Sequence, residues 1–119
     1  MLTLHLAEAL LSLIFILGGA STLLVPGLRE TQIARLHFPL TQVAVRVNAL
    51  SMIVAGFFLA LGLWAQVAAW ALVALLLPTT IFGHPFWLEH DLNRQAQLTH
   101  FLKNLSLLGG LLLITQFVR

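Results

Sequence analysis

The stretch VNALSMIVAGFFLALGLWAQVAAWALVALLLPTTIF, Val47 to Phe82, decides the fold. It carries no charge, and apart from its two tryptophans the only polar side chains in it are Asn48, Ser51, Gln66, Thr79 and Thr80. As one helix these 36 residues would be about 54 Å long at 1.5 Å per residue, against roughly 30 Å of hydrocarbon in a bilayer. The stretch must therefore fold back on itself, and Gly62 to Gln66 is the natural turn. The same reading predicts a first span from about Leu4 to Leu24 and a last one from about Phe101 to Val118. Lipid offers backbone groups no hydrogen-bond partner, and the alternation that a transmembrane barrel requires is missing. The expected fold is all-α: one four-helix transmembrane bundle spanning residues 1–119.

Composition agrees with that reading. With 60% hydrophobic and 8% charged residues and a mean hydropathy of +0.98, the chain has too little polar surface to cover a water-soluble globule. There is no cysteine, so thiol catalysis, Cys-ligated zinc and thiolate-held iron–sulfur clusters are excluded for this chain. A net charge of +2 is too small to suggest a nucleic-acid partner, and no nucleotide-binding loop or nucleophile triad is present. Glu8 stands just before the first apolar run, where a signal peptide would carry positive charge, so a retained first helix is expected.

Four spans put the loop from Pro26 to Gln42 and the loop from Gly83 to His100 on one side, with both termini and the Gly62 to Gln66 turn on the other. Arg29, Arg35, Arg46, Arg94 and Lys103 lie in or beside the two long loops, leaving Arg119 opposite. The positive-inside rule then puts the long loops in the cytoplasm and both termini outside. Gly18 with Thr22, Ser51 with Ala55, Gly56 with Ala60, and the pair Gly109 and Gly110 are expected to let helix backbones approach closely. Pro78 is expected to kink the third helix, with Thr79 and Thr80 serving the freed backbone groups.

Four positions are nominated for function: Glu8, His84, Lys103 and Asn104. Glu8 lies about one turn into the first span, where an ionisable side chain is costly and functional by default if it faces the bundle. The plainer reading is that it reaches the interface or pairs with Arg119; a proton relay is the sharper one. His84, with His90 and His100, occupies an aromatic loop, but the spacing matches no metal-ligand motif and no metal site is expected. A quinone ring held by that loop remains open as the one cofactor class, because aromatic side chains could frame it and histidines could bond its carbonyls. An aromatic belt of Phe86, Trp87 and Phe101 is the bland alternative. Lys103 is expected to snorkel toward the headgroups, and Asn104 to find a partner on another helix or in a loop, worth about 0.6–2 kcal/mol. No residue is nominated as catalytic.

The segment FGHPFWLEHDLNRQAQLTHFLKNLSLLGGLLLI, Phe82 to Ile114, passes from an aromatic and proline cluster through mixed charge to a Lys-Asn pair and a glycine pair in a leucine run. That order resembles the last loop and last helix of the DoxX family of small integral membrane proteins. The resemblance is strongest in Phe82 to Trp87 and in Phe101 to Ile114, while the first two thirds of the chain match in hydropathy and length more than in residues. Relatives often carry a lysine near the end of the first helix and an acidic residue in the second, where this chain has Ser21 or Thr22 and Asn48. The family takes its name from a membrane subunit linked to thiosulfate oxidation with electrons delivered to quinone, so the resemblance implies a redox setting.

The expected role is a small integral membrane subunit or partner protein of a membrane complex, without a catalytic centre of its own. A quinone-binding oxidoreductase subunit and a small transporter using Glu8 are the alternatives. Membrane lipid and other membrane proteins, or a second copy of the chain, are the expected partners, and the plasma (inner) membrane of a bacterium or archaeon the expected location. Single Gln32→Cys and Gln97→Cys variants should resist an impermeant thiol reagent in intact cells; ready labelling would reverse the orientation.

Overall fold

The computed structural model describes residues 2–25, 41–83 and 86–117. Four α-helices follow one another: α1, Leu2–Leu24; α2, Thr41–Leu61; α3, Ala65–Gly83; and α4, Asp91–Ile114, with a 3-10 turn at Phe86–Leu88 leading into α4. No strand occurs among the described residues. α1, α2 and α3 are long and apolar enough to cross a membrane. α4 is polar from Asp91 to His100 and apolar beyond Asn104, apart from Ser106. The long dimension of 44 Å matches a bilayer with its headgroups, about 40–45 Å thick.

Helix boundaries correct the sequence reading at three places. α2 begins at Thr41, so Gln42 lies within the helix and not in the loop, and Arg46 is in the second turn of α2. α4 begins at Asp91, ten residues before Phe101, so the segment Asp91 to His100 is helix. It also ends at Ile114, four residues short of Val118. Mixed charge before a span reads as a loop, yet Leu92, Arg94, Gln95, Ala96, Gln97 and Leu98 all favour helix. Asp91 in the first turn opposes the positive end of the helix dipole.

The predicted hairpin turn is present at Gly62–Trp64. Gly62 adopts φ 70°, its N–H donates to the Leu59 carbonyl at 3.1 Å, and the Leu63 N–H donates to the Phe58 carbonyl at 3.0 Å. These are the paired bonds of a Schellman motif, which ends α2 by returning the chain on itself. The left-handed position explains the glycine, since any Cβ there would meet the following carbonyl. Trp64, at φ 53°, then accepts the Ala68 N–H at 2.8 Å and opens α3.

Neighbouring helices run antiparallel, α1 against α2, α2 against α3 and α3 against α4. Lipid is as apolar as leucine, so packing and not exclusion from water must hold them together. Leu10, Leu13 and Leu17 accordingly face outward, 60%, 50% and 63% exposed, while the interior mixes small and large side chains: Phe15, Ala55, Leu59, Ala69, Leu72, Leu76 and Leu111. The tightest seam is α1 against α2. A methyl group on Gly19 would lie 2.7 Å from Ile53 Cγ1 and 2.8 Å from the Ala49 carbonyl oxygen, and one on Gly56 would lie 2.9 Å from Ile16 Cγ1. At the other seam, a methyl on Gly110 would lie 3.3 Å from Leu11 Cδ2. Gly18 and Gly109 do not take part, since a methyl on either would meet nothing within 4 Å.

α3 continues unbroken through Pro78. The Thr79 hydroxyl donates to the Leu75 carbonyl at 2.9 Å and Thr80 to Leu76 at 2.7 Å. Proline removes the bond that position 78 would have made to Ala74, so the hydroxyls serve the next two carbonyls and not the freed one.

Gly19→Ala should therefore destabilise the protein in detergent by about 1–3 kcal/mol, because the Ala49 backbone cannot yield to the added methyl. Gly18→Ala should be neutral or stabilising by about 0.5–1 kcal/mol, the ordinary helix preference for alanine. Equal effects of the two on reversible unfolding would contradict the assignment of the seam.

Candidate functional site: an intramembrane cavity at the long-loop end

Antiparallel packing sorts the polar interior into two levels. At the terminal end, Leu11 meets Gly110, so Glu8, one turn earlier in α1, lies level with Ile114 and Thr115. Glu8, Ser12 and Thr115 are 0%, 1% and 1% exposed, and both Glu8 carboxylate oxygens are sealed from solvent. Gln66 Nε2 donates to the Thr115 carbonyl at 2.5 Å, tying the start of α3 to the end of α4. The Ser12 hydroxyl donates within its own helix to the Ala9 carbonyl at 2.7 Å. Glu8 thus turns into the bundle; it does not reach out to the interface, and Arg119 lies outside the described residues. Burial follows from position: Glu8, Ser12, Phe15 and Gly19 recur every three or four residues and form the buried stripe of α1.

At the long-loop end, all four helices enclose a cavity of about 340 Å³. Ile14, Phe15, Ala49, Met52, Leu76 and Leu107 supply much of its apolar wall. Its polar groups come from Thr22 on α1, Asn48 on α2, Thr79 on α3, and Lys103 and Asn104 on α4. Asn48 Nδ2 donates to Thr79 Oγ1 at 2.8 Å, and the Thr79 hydroxyl is spent on Leu75. Thr22 is spent likewise, donating to the Gly18 carbonyl at 3.0 Å. That arithmetic leaves the Asn48 carbonyl oxygen and its second N–H able to bond a guest. Asn104 is 4% exposed. The partner expected for it on another helix or loop is not found among the described residues; its amide borders the cavity instead.

Of the four nominated residues, Lys103 and Asn104 meet at this cavity, Glu8 lies at the other end of the bundle, and His84 is outside the described residues. Between Glu8 and the cavity stand Phe15, Leu72 and Leu111, at 3%, 0% and 0% exposed. Among the described residues no group of three or more His, Asp and Glu side chains could hold a metal ion. His90 and His100 are exposed. The aromatic trio packs on itself. Phe86, Trp87 and Phe101 meet edge to face, with ring centroids 5.2 Å apart for Phe86–Phe101, 5.3 Å for Phe86–Trp87 and 6.2 Å for Trp87–Phe101. This staples the 3-10 turn onto α4 and leaves no slot between those three rings for another.

The DoxX family model matches residues 4–85, α1 to the end of α3. The chain belongs to the DoxX family. This DoxX protein is thus matched over its first two thirds, where the sequence reading found likeness mainly in hydropathy, and not over the Lys-Asn and Gly-Gly helix that suggested the family. No curated protein and no solved structure matches the chain. The matched region supplies three of the four cavity walls, whereas Lys103 and Asn104 come from beyond it.

Sequence reasoning treated Asn48 only as a departure from relatives and missed its pairing with Thr79. The signal was there: an asparagine and a threonine in an uncharged hairpin, fourteen residues before and fifteen after the Gly62–Trp64 turn, face one another across it. A double-mutant cycle with Asn48→Ala and Thr79→Val should return a coupling of about 0.6–1.7 kcal/mol, the range for hydrogen bonds between membrane helices. Additive effects would remove the bond as a stabilising contact.

Proposed function

We propose that this protein is a non-catalytic subunit or partner of a membrane complex in the plasma (inner) membrane, and that it contributes by holding a small lipophilic molecule between its helices. One observation carries the reading: the cavity is built by all four helices, is apolar over most of its wall, and offers amide groups at the polar end. Sites with that balance bind and orient, because amides and hydroxyls form hydrogen bonds without transferring protons at ordinary pH. Its volume falls at the small end of the range for ligand pockets, about 300–1,000 Å³. A quinone, the cofactor class left open by the sequence, would find its place in this cavity, which Phe82 also lines, while Phe86, Trp87 and Phe101 pack on one another.

A transporter that couples Glu8 to a substrate has less support, since the Phe15, Leu72 and Leu111 layer separates the carboxylate from the cavity. Other membrane proteins, or a second copy, would seat on the lipid-facing helices; surrounding lipid covers what they leave.

Gentle extraction of the tagged protein should recover a stoichiometric membrane partner together with a small lipophilic compound detectable after organic extraction. Recovery of the bare chain, free of partner and ligand, would overturn the reading. Proton-driven uptake in vesicles that is lost on Glu8→Gln would replace it with the transporter.

A further inference from the structure

Hydrogen-bond arithmetic narrows what the cavity takes. The Thr79 hydroxyl gives its proton to the Leu75 carbonyl, so Thr79 Oγ1 accepts from Asn48, and the Asn48 atom that meets it must be the amide nitrogen. The Asn48 carbonyl oxygen and second N–H remain. Asn104 is 4% exposed, lines the same space and makes no hydrogen bond among the described residues, so its carbonyl oxygen and both its N–H groups remain as well. Two carboxamides from different helices therefore offer the cavity acceptors and donors together.

Charge excludes much else. No carboxylate stands among the described residues that line the cavity, so a cation would lack a counterion there. Lys103 lines the wall too, but it already has an interaction partner and is no vacant seat for an anion. An isolated charge in an apolar space is costly, so the guest must be neutral.

Its polar group follows from what the two amides lack. A ketone, ester or quinone carbonyl accepts hydrogen bonds and donates none, so it would serve the N–H groups and leave both amide oxygens without a donor. A hydroxyl donates one bond and accepts up to two, which meets both halves of a carboxamide. Water has the same capacity, but it brings no hydrocarbon to the Ile14, Phe15, Met52 and Leu76 part of the wall.

We infer that the cavity binds a neutral lipophilic alcohol, with its hydroxyl at the Asn48 and Asn104 amides and its hydrocarbon against Ile14, Phe15, Met52 and Leu76. This rests on the reading of the cavity as a ligand site and gives that ligand a class. The Asn104 amide bonds the guest and not the bundle, so it contributes to recognition without contributing to the fold.

The test uses the full chain in lipid nanodiscs with cyclododecanol, cyclododecanone and cyclododecyl methyl ether as probes. The three share one hydrocarbon ring, and of them the alcohol alone both donates and accepts. Binding is followed by ligand-observed NMR and by thermal unfolding, with affinities referred to the probe concentration in the bilayer. The alcohol should saturate at one per chain, and the ketone and the ether should bind about ten- to hundredfold more weakly, the effect of leaving a buried acceptor unpaired. Asn104→Leu, close to the parent in shape, should weaken the alcohol by a similar factor and yet unfold no earlier than the parent. Ser106→Leu, on the exposed face of the same helix and outside the cavity, should leave the affinity for the alcohol unchanged.

Equal affinities for the alcohol and the ketone would sink the alcohol class and leave the ligand-holding role standing. Unchanged binding of the alcohol to Asn104→Leu would overturn the site. Earlier unfolding of that variant without probe would show that the amide serves the bundle, which removes the premise. If none of the probes saturates, water alone satisfies the amides and the inference fails; the extraction experiment then decides the broader role separately.

Discussion

Everything else in this bundle depends on how closely α1 and α2 approach. In a bilayer the helices gain nothing by hiding apolar surface from one another, so a seam must be made by contact. Gly19 against Ala49 and Ile53, and Gly56 against Ile16, bring two backbones together at heights about two turns apart. With that seam closed, α1 is held with its Glu8, Ser12, Phe15 and Gly19 stripe inward. The stripe carries both polar interiors of the protein: its first half meets the Thr115 end of α4 and its second half forms one wall of the cavity. Two glycines thus fix the relative positions of groups that never touch them.

The two polar levels solve the same problem in different ways. Near the chain ends, Gln66 and Thr115 cross-link helices through side chain and backbone, which satisfies groups that would otherwise face hydrocarbon. Near the long loops, Asn48 and Thr79 cross-link α2 and α3, but the Asn104 amide is left facing space. The terminal end is closed, with Glu8, Ser12 and Thr115 sealed from solvent, whereas the long-loop end keeps hydrogen-bonding capacity beside open space. Since unsatisfied polar groups are costly inside a membrane, that asymmetry is what distinguishes a site from ordinary packing.

Much of the architecture was legible because the bilayer imposes so few choices. A 36-residue uncharged stretch had to be a hairpin, and Gly62 had to turn it. Glycine spacing was less informative: Gly18 and Gly109 read in sequence like Gly19 and Gly56, yet only rotation about the helix axis decides which touch a neighbour. Asn104 was recognisable as a polar residue entering a span, but whether its amide meets a side chain or a void depends on three other helices. The start of α4 was misplaced because polarity marks where water begins and not where a helix ends. Asp91 to His100 are hydrated and helical at once.

The Schellman turn at Gly62 has a consequence for biogenesis. Its two hydrogen bonds link residues no more than five apart in sequence, so the reversal is encoded within a few residues and needs no help from α1 or α4. A helical pair joined in this way can enter the bilayer as one object, each helix shielding the other's Asn48 and Thr79 from the acyl chains. The cavity cannot be complete at that stage, since α4, which brings Lys103 and Asn104, is the last helix in the chain. The space between the helices is therefore the last feature assembled, completed only when the fourth helix closes on the other three.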